Sequence, residues 1–236
     1  MAPSKLFHFS HFNSRNLKAL MQERKLYFSN PQNFNDPYDP LPSFDEVSRK
    51  VIKETVFKEA VLQGILTEPW NSPVPLATQL HLRQQFGLKV LDEKIDLWFE
   101  DYRHQAGRAV RMLCLCAQIE TNLMWSHYAT GHTGFALELN FQSSPWLELD
   151  QQHTVHPVKY DFEKRPQAPA DGNAGTPELT QKSPEWAYEN EWRVILNPRC
   201  LSEDSSGHYL ELEEDSIDVL HLGWQFKDTK ENLEPV

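Results

Sequence analysis

The fold is constrained most by one mostly apolar run, AVRMLCLCA at residues 109–117, which is long enough for a buried strand. A second segment, GFALELN at 134–140, alternates large apolar residues with Ala136, Glu138 and Asn140. This period-two pattern is typical of a half-buried strand. Further strands are predicted at 5–9, 25–29, 155–160, 192–196, 209–212 and 217–222.

Helical segments separate these predicted strands. Asn13 or Ser14 can cap a helix after the first strand, and a short helix is predicted within 120–130. A capping box at 43–46 begins a helix that runs to about Gln63, and two further helical stretches are predicted near 76–86 and 92–106. The sequence therefore predicts one α+β domain over residues 1–236, whose mixed, mainly antiparallel sheet carries a helical insertion at 43–106.

Residues 165–184 are rich in proline and contain almost no large apolar side chain. Such a segment cannot contribute much to a core, so we expect a mobile loop there. The chain then enters the strand predicted at 192–196.

The charge of the chain is uneven. The formal net charge is −11, yet residues 1–35 carry five basic residues against Glu23 alone. This balance disfavours an extended groove for duplex nucleic acid and still allows a local anion site near the N-terminus. No apolar run approaches the roughly 20 residues of a membrane helix, and no secretory signal pattern opens the chain. With three cysteines, the sequence indicates a protein of the reducing cytoplasm that has no membrane partner.

Three pairs of potential metal ligands occur without a companion pair. They are Cys114 with Cys116, His127 with His132, and His153 with His156. Because structural zinc needs about four ligands, we predict no metal at these positions.

The turn Phe34-Asn-Asp-Pro-Tyr-Asp39 directly follows a predicted strand. Asn35 and Asp36 can bond to their own backbone while Pro37 fixes φ, which makes a rigid turn one interpretation. The alternative is that Asn35 and Asp36 contact a ligand, since the end of a strand is where a site residue is often mounted.

Four polar or aromatic side chains follow one another at Trp125-Ser126-His127-Tyr128. On a helix they cannot all face inward. In one interpretation Trp125 and Tyr128 are core anchors while Ser126 and His127 face solvent. In the other, the four form a stacking and hydrogen-bonding wall for a planar ligand.

The segment Tyr188-Glu-Asn-Glu-Trp-Arg193 carries the strongest chemical signal. If it is extended, Glu189 and Glu191 share one face and Arg193 lies beyond them on it. A salt-bridged sheet face would explain this pattern without any function. Partial burial by the neighbouring aromatic residues would instead require specific partners for each carboxylate, as in a functional site.

Together these segments resemble the domain of unknown function 2971 family of uncharacterised bacterial proteins. The resemblance spans about residues 5–224, excluding much of the helical insertion. The tail after Gly223-Trp224 is short for the family, which leaves a missing closing strand or a shortened chain as interpretations. The matching segments are Leu26–Ser29, Phe34–Pro37, Trp125–Ala129, Gly134-Phe135, and Lys182 with Trp186 and Tyr188–Arg193.

The opening of the chain also resembles ADP-ribosyltransferase folds. That resemblance implies that His8 contacts the ribose or diphosphate of NAD and that Tyr27 or Ser29 fills the second position of the fold's motif. It also implies that Glu191 stabilises the charge that develops as nicotinamide leaves, with Glu189 completing Glu-x-Glu. Tyr27 or Tyr128 would stack on nicotinamide, and the biological role implied is that of a bacterial toxin or phage-defence effector.

Three functions follow as hypotheses. The first is an ADP-ribosyltransferase-like enzyme or NAD glycohydrolase, with NAD as the small nucleotide ligand and an unidentified acceptor. It requires that His8 and Glu191 converge on one cleft within about 10 Å. The second is a nucleotide-binding or sensor module without catalysis. The third is a metal-dependent nuclease or hydrolase using Asp36, Glu189 and Glu191. The predicted ligand-binding set is Tyr27, Ser29, Asn35, Asp36, Trp125, Ser126, His127, Tyr128 and Arg193.

Overall fold

A computed structural model describes residues 3–12, 14–34, 39, 97, 104, 107–143, 145–146, 148–149, 154–161 and 179–227. Nearly all of the predicted insertion at 43–106 lies outside the described residues, as do 165–178 of the predicted loop. Asn35 and Asp36 also lie outside them. The described part contains both helices and antiparallel sheets, which confirms the predicted α+β class.

The largest layer is a six-stranded sheet in the order β11-β4-β1-β3-β8-β5. Every neighbouring pair in this sheet is antiparallel. Its strands are β1 (Lys5–Ser10), β3 (Arg111–Cys116), β4 (Phe135–Asn140), β5 (Val155–Pro157), β8 (Glu191–Leu196) and β11 (Ile217–Leu222).

Two smaller sheets complete the described strands. β2 (Lys25–Phe28), β10 (Gly207–Glu211) and β9 (Ser202–Asp204) form an antiparallel sheet, while β6 (Lys159–Tyr160) pairs in parallel with β7 (Gln181–Lys182). The strand predicted at 155–160 is therefore divided into β5 and β6. Residues 181–182, which the sequence places in a loop, form β7, and Lys182 is buried.

The main core lies between the six-stranded sheet and the three-stranded sheet. Alternate residues such as Leu6, Leu113 and Val194 meet Leu26 and Phe28 of the second sheet. Helix α1 (Ser14–Glu23) closes this core with Leu20. The opposite face of the large sheet packs against helix α2 (Asn122–Tyr128). No helix among the described residues is both long enough and apolar enough to cross a membrane.

An opening between β1 and β3 positions the site. These neighbouring strands are in register only at Phe7 and Cys116. Farther along, Met112 of β3 instead exchanges two backbone hydrogen bonds with Ser29, of 2.8 and 2.9 Å, just after β2. β1 and β3 therefore diverge, and the space between them borders the end of β2.

Candidate functional site

A cluster of five buried charged side chains lies where β7 and the start of β8 meet Asp39. Each member is at most 7% exposed, although groups of this kind are almost never buried unless they are paired. Three carboxylates face two cations, so the ionised cluster carries a net charge of −1. The members of this charged cluster are Asp39, Lys182, Glu189, Glu191 and Arg193.

The local chain path brings the two glutamates together by a route that differs from the predicted one. Glu189 ends a 3-10 helix, Pro184–Glu189, and Asn190 then adopts a left-handed conformation at φ 43°. Only Glu191 and Arg193 lie on β8, where alternate residues share a face. The extended conformation in which Glu189 and Glu191 would share one strand face is therefore not observed, because the left-handed Asn190 interrupts it.

Arg193 is the fully buried centre of this cluster. Its guanidinium donates to both oxygens of Glu191, with Nε–Oε1 at 2.7 Å and Nη2–Oε2 at 2.9 Å. It also donates to Asp39 Oδ2 at 2.6 Å and to the Leu179 carbonyl at 2.7 Å. The ring of Phe34 lies 5.8 Å from the guanidinium carbon. Arg193 thus holds Glu191 in a two-point contact, the strongest arrangement of such pairs.

Lys182 supplies the second cation and contacts all three carboxylates. Its Nζ lies 2.6 Å from Glu189 Oε2, 3.3 Å from Glu191 Oε2 and 3.4 Å from Asp39 Oδ2. The ammonium also lies 4.8 Å from the ring centroid of Trp186. A single ammonium therefore bridges the two glutamates of the Glu-x-Glu pair.

Two tyrosines complete the hydrogen bonding around the glutamates. The phenol of Tyr128 donates to Glu189 Oε1 at 2.6 Å, and the Tyr160 oxygen accepts from the backbone N–H of Glu191 at 2.8 Å. Burial raises the pKa of both phenols, and the glutamate charges add to this effect, so both hydroxyls stay protonated at neutral pH.

The two glutamates differ in their electrostatic balance. Burial would raise the pKa of Glu191, but Arg193 and Lys182 outweigh it and lower that pKa to about 2. Burial raises the pKa of Glu189 against the opposing charge of Lys182, and burial likewise raises the pKa of Asp39. Glu191 is therefore the most firmly ionised carboxylate of the charged cluster.

The charged cluster forms one wall of a cavity of about 410 Å³ in the opening between β1 and β3. We call it the acidic cavity because Asp39, Glu189 and Glu191 all line it. His8 lines the same cavity as Glu191. The volume is within the range of roughly 300–1,000 Å³ typical of small-molecule sites.

His8 enters this cavity as a neutral hydrogen-bonding group. Its Nδ1 lies 3.0 Å from the carbonyl oxygen of Cys114, which can only accept, so Nδ1 carries the proton and Nε2 is an acceptor. Burial lowers the pKa of the imidazole. A neutral His8 suits a hydroxyl donor, such as a ribose, better than the diphosphate that was the other predicted partner.

A second cavity of about 280 Å³ adjoins the first. We call it the basic cavity, because Lys25 lines it and no carboxylate is among its described wall residues. Tyr27 belongs to this wall, whereas Ser29 lines both cavities. The wall residues that the two cavities share are His8, Phe9, His11, Ser29, His127 and Tyr128.

Three predicted ligand-binding residues are absent from the described walls of both cavities. Trp125 donates from Nε1 to the Ile119 carbonyl at 2.8 Å and packs edge-on against Phe9. The exposed Ser126 bonds to the carbonyl of Asn122. Arg193 lies behind Glu191 and acts on the cavity through it. The segment Trp125–Tyr128 therefore combines both interpretations, with an anchor at Trp125 and cavity walls at His127 and Tyr128.

Asp39 and Lys182 are members of the site that residue-by-residue prediction did not include. Asp39 belongs to the same turn motif as Asp36, and nothing local distinguishes the two acids. Lys182 is the single cation between Arg165 and Arg193. Because buried carboxylates need a cation, that isolation was the signal that could have identified it.

Metal-binding geometry is not found among the described residues, where no group of three or more His, Cys, Asp and Glu side chains could hold an ion. The oxygens of Glu189 and Glu191 instead face Lys182 and Arg193. The described residues therefore add no support to the nuclease hypothesis.

Fold and site together define an α+β protein with a buried charged cluster beside two adjoining cavities. Residues 124–194 match the family described as "Protein of unknown function (DUF2971)", and this match supports the resemblance stated from the sequence. The matched range includes both the Trp125–Tyr128 segment and the charged segment that ends at Arg193. Comparisons with curated proteins and with solved structures give no significant match.

Proposed function

We propose that this protein is an ADP-ribosyltransferase-like enzyme that cleaves the N-glycosidic bond of NAD. The observation that carries the proposal is the contrast between the two adjoining cavities. One presents three carboxylates beside Lys182, and the other presents Lys25 with no carboxylate among its described wall residues, while three histidines line both. A substrate that has an anionic diphosphate and develops positive charge at a nearby ribose matches both halves.

The basic cavity suits the diphosphate and adenosine half of NAD. Lys25 supplies a cation there, although it is also paired with Glu23 at 3.0 Å. Ser10, Tyr27 and Ser29 supply hydroxyl groups that can donate to phosphate oxygens. The acidic cavity then receives the ribose that carries nicotinamide, beside Tyr128.

His8 lines both cavities and therefore lies where the two halves of NAD would meet. Because its Nε2 is an acceptor, a ribose hydroxyl can donate to it while Nδ1 remains bound to the Cys114 carbonyl. Such a bond orients the sugar without adding a charge. The same contact fixes the ribose relative to the carboxylates on the facing wall.

Glu191 is the residue that stabilises the transition state of this reaction. As the bond between the ribose C1′ and the nicotinamide nitrogen breaks, the electron pair leaves with nicotinamide and positive charge develops on the ribose. A carboxylate that is ionised in advance stabilises this charge. Water or an acceptor nucleophile then bonds to C1′ and releases its proton.

The test is a nicotinamide-release assay on the full chain with Glu191→Gln. Loss of one group that stabilises a transition state typically costs about 10²–10³ in rate, and we expect a loss of that size. Glu138→Gln is the matched control, because Glu138 is also a buried sheet carboxylate, paired with His221 at 2.9 Å, but lines neither cavity. An unchanged rate in a folded Glu191→Gln variant would contradict the proposal.

A second candidate is a nucleotide-binding module without catalysis. It is favoured by one observation: both oxygens of Glu191 are already bonded by Arg193, and Lys182 contacts one of them. Calorimetry distinguishes the candidates, because a sensor binds NAD without releasing nicotinamide. Insensitivity of nicotinamide release to EDTA would separate the enzyme from the metal-dependent hypothesis.

A further inference from the structure

We propose that Lys182 is a positioning residue that keeps Glu189 and Glu191 together as two ionised carboxylates on the wall of the acidic cavity. Its Nζ contacts Oε2 of both residues, at 2.6 and 3.3 Å. The role in NAD cleavage rests on the proposed function, whereas the effect on the two carboxylates can be measured without it.

The charge balance around the pair gives the physical reason. Like charges in one buried site repel, and burial further penalises each ionised carboxylate. Arg193 donates to Glu191 and Asp39, but Glu189 receives its cationic contact from Lys182. Without Lys182, three carboxylates would share one cation, and the least costly response is uptake of a proton by Glu189.

The surroundings of Lys182 support a fixed position. Trp186 lies against its ammonium and Tyr160 is its partner in register on β6. Burial opposes the charge of Lys182, but the three carboxylates outweigh it and raise the pKa of the ammonium. Among the described residues, the titratable or charged groups that interact with the Lys182–Glu189–Glu191 unit are Asp39, Cys114, Cys116, Tyr128, Tyr160, Tyr188 and Arg193.

The first measurement is carbon-13 NMR of labelled glutamate side chains in the full chain, assigned with Glu189→Gln and Glu191→Gln. At pH 7 we expect both carboxylates to be ionised in the wild type and in Lys182→Arg. In Lys182→Met, Glu189 should be protonated at the same pH. Unchanged titration of both glutamates in folded Lys182→Met would overturn the proposal, whether or not NAD is cleaved.

The second measurement applies if Lys182→Met does not fold. The double variant Lys182→Met with Glu189→Gln removes one cation and one carboxylate, so folding should recover. A double variant that is no more soluble or heat-stable than Lys182→Met would overturn the proposal. Lys5→Met is the matched control, since Lys5 bridges Glu138 and Asp218 at the surface.

The pH profile of nicotinamide release then tests the catalytic consequence. In Lys182→Gln the acid limb of the profile should move upward by about one pH unit or more, and Lys182→Arg should restore it. If an active Lys182→Gln variant keeps the acid limb at the wild-type pH, the proposed effect of Lys182 on catalysis is contradicted. Absence of release in the wild type would contradict the proposed function and leave the NMR result to decide the role of Lys182.

Discussion

The guanidinium of Arg193 lies 2.6 Å from a carboxylate oxygen of Asp39, although 154 positions separate the two residues in the chain. The contact ties Asp39 to β8 beside the acidic cavity, which Asp39 and Glu191 both line. Arg193 is fully buried and Asp39 is 4% exposed, so solvent cannot replace either partner. Asp39 is therefore held in place by the strand that carries Glu191 and Arg193.

Replacing Arg193 by Met should be strongly destabilising. Removal of one partner from a buried ion pair typically costs about 3–5 kcal/mol, because the remaining charges lose their compensation. Urea unfolding followed by circular dichroism measures this cost. Lys5→Met, which breaks a more exposed pair, should cost much less. Equal losses in the two variants would contradict the assigned role of Arg193.

Tyr128→Phe should destabilise the protein more than Tyr209→Phe does. Tyr128 donates to the carboxylate of Glu189, whereas Tyr209 donates to the neutral hydroxyl of Ser206 at 3.0 Å. Hydrogen bonds to charged groups contribute about 1.5–3 kcal/mol and neutral ones about 1 kcal/mol. Both variants lose one phenolic hydroxyl, so the difference between their unfolding free energies reflects the hydrogen-bond partner. A larger loss in Tyr209→Phe than in Tyr128→Phe would contradict this prediction.

Most of the described strands could be predicted because apolar periodicity is a local property. The strand at 217–222 has the predicted bounds, and the run at 109–117 contains β3. The path around Glu189 escaped prediction because Asn190 adopts a left-handed conformation, which asparagine tolerates but does not require.

The partners within the site were harder to predict than its acidic members. Glu189 and Glu191 were found from a local pattern and His8 from the resemblance to ADP-ribosyltransferase folds, and all three line the acidic cavity. Asp39 and Lys182 join them through contacts between distant segments, which a single sequence does not encode as a spacing. The predicted insertion at 43–106 lies almost entirely outside the described residues, so its helical content stays a prediction.

The stability of the protein should depend on Glu191 at low pH. Its folded-state pKa of about 2 is below the ordinary value of 4.5, since Arg193 and Lys182 outweigh its burial. This contribution is therefore present above about pH 4.5 and is lost as the pH falls toward 2. A shift of this size corresponds to roughly 3 kcal/mol.

Unfolding free energies of the wild type and Glu191→Gln, measured between pH 2 and 7, test this dependence. The advantage of the wild type should shrink as the pH falls below about 4.5. A difference that stays constant over this range would show that Glu191 is not held ionised by its neighbours.

Gly134→Ala should be destabilising because of close backbone approach. A Cβ there would lie 2.3 Å from the Ser10 carbonyl oxygen and 2.9 Å from the Cα of Ala129. Neither backbone group can move away easily, so we expect a loss of about 1–3 kcal/mol. Gly131→Ala is the control, because its Cβ meets open space and only its φ of +60° opposes it, at a cost of about 1 kcal/mol. Thermal melts of the two variants give the comparison, and a smaller loss at Gly134 would contradict this explanation.

Substitutions of His8 should distinguish the roles of its two ring nitrogens, the donor Nδ1 and the acceptor Nε2. Asn can replace the donor at Nδ1 but lacks an acceptor at the position of Nε2, whereas Gln places an amide oxygen nearer to Nε2. If Nε2 accepts from a ribose hydroxyl, His8→Asn should lower kcat/KM for NAD by about tenfold, and His8→Gln should lower it less. His221→Asn is the control, because His221 is paired with Glu138 away from both cavities. Wild-type kcat/KM in a folded His8→Asn variant would show that Nε2 does not contact the substrate.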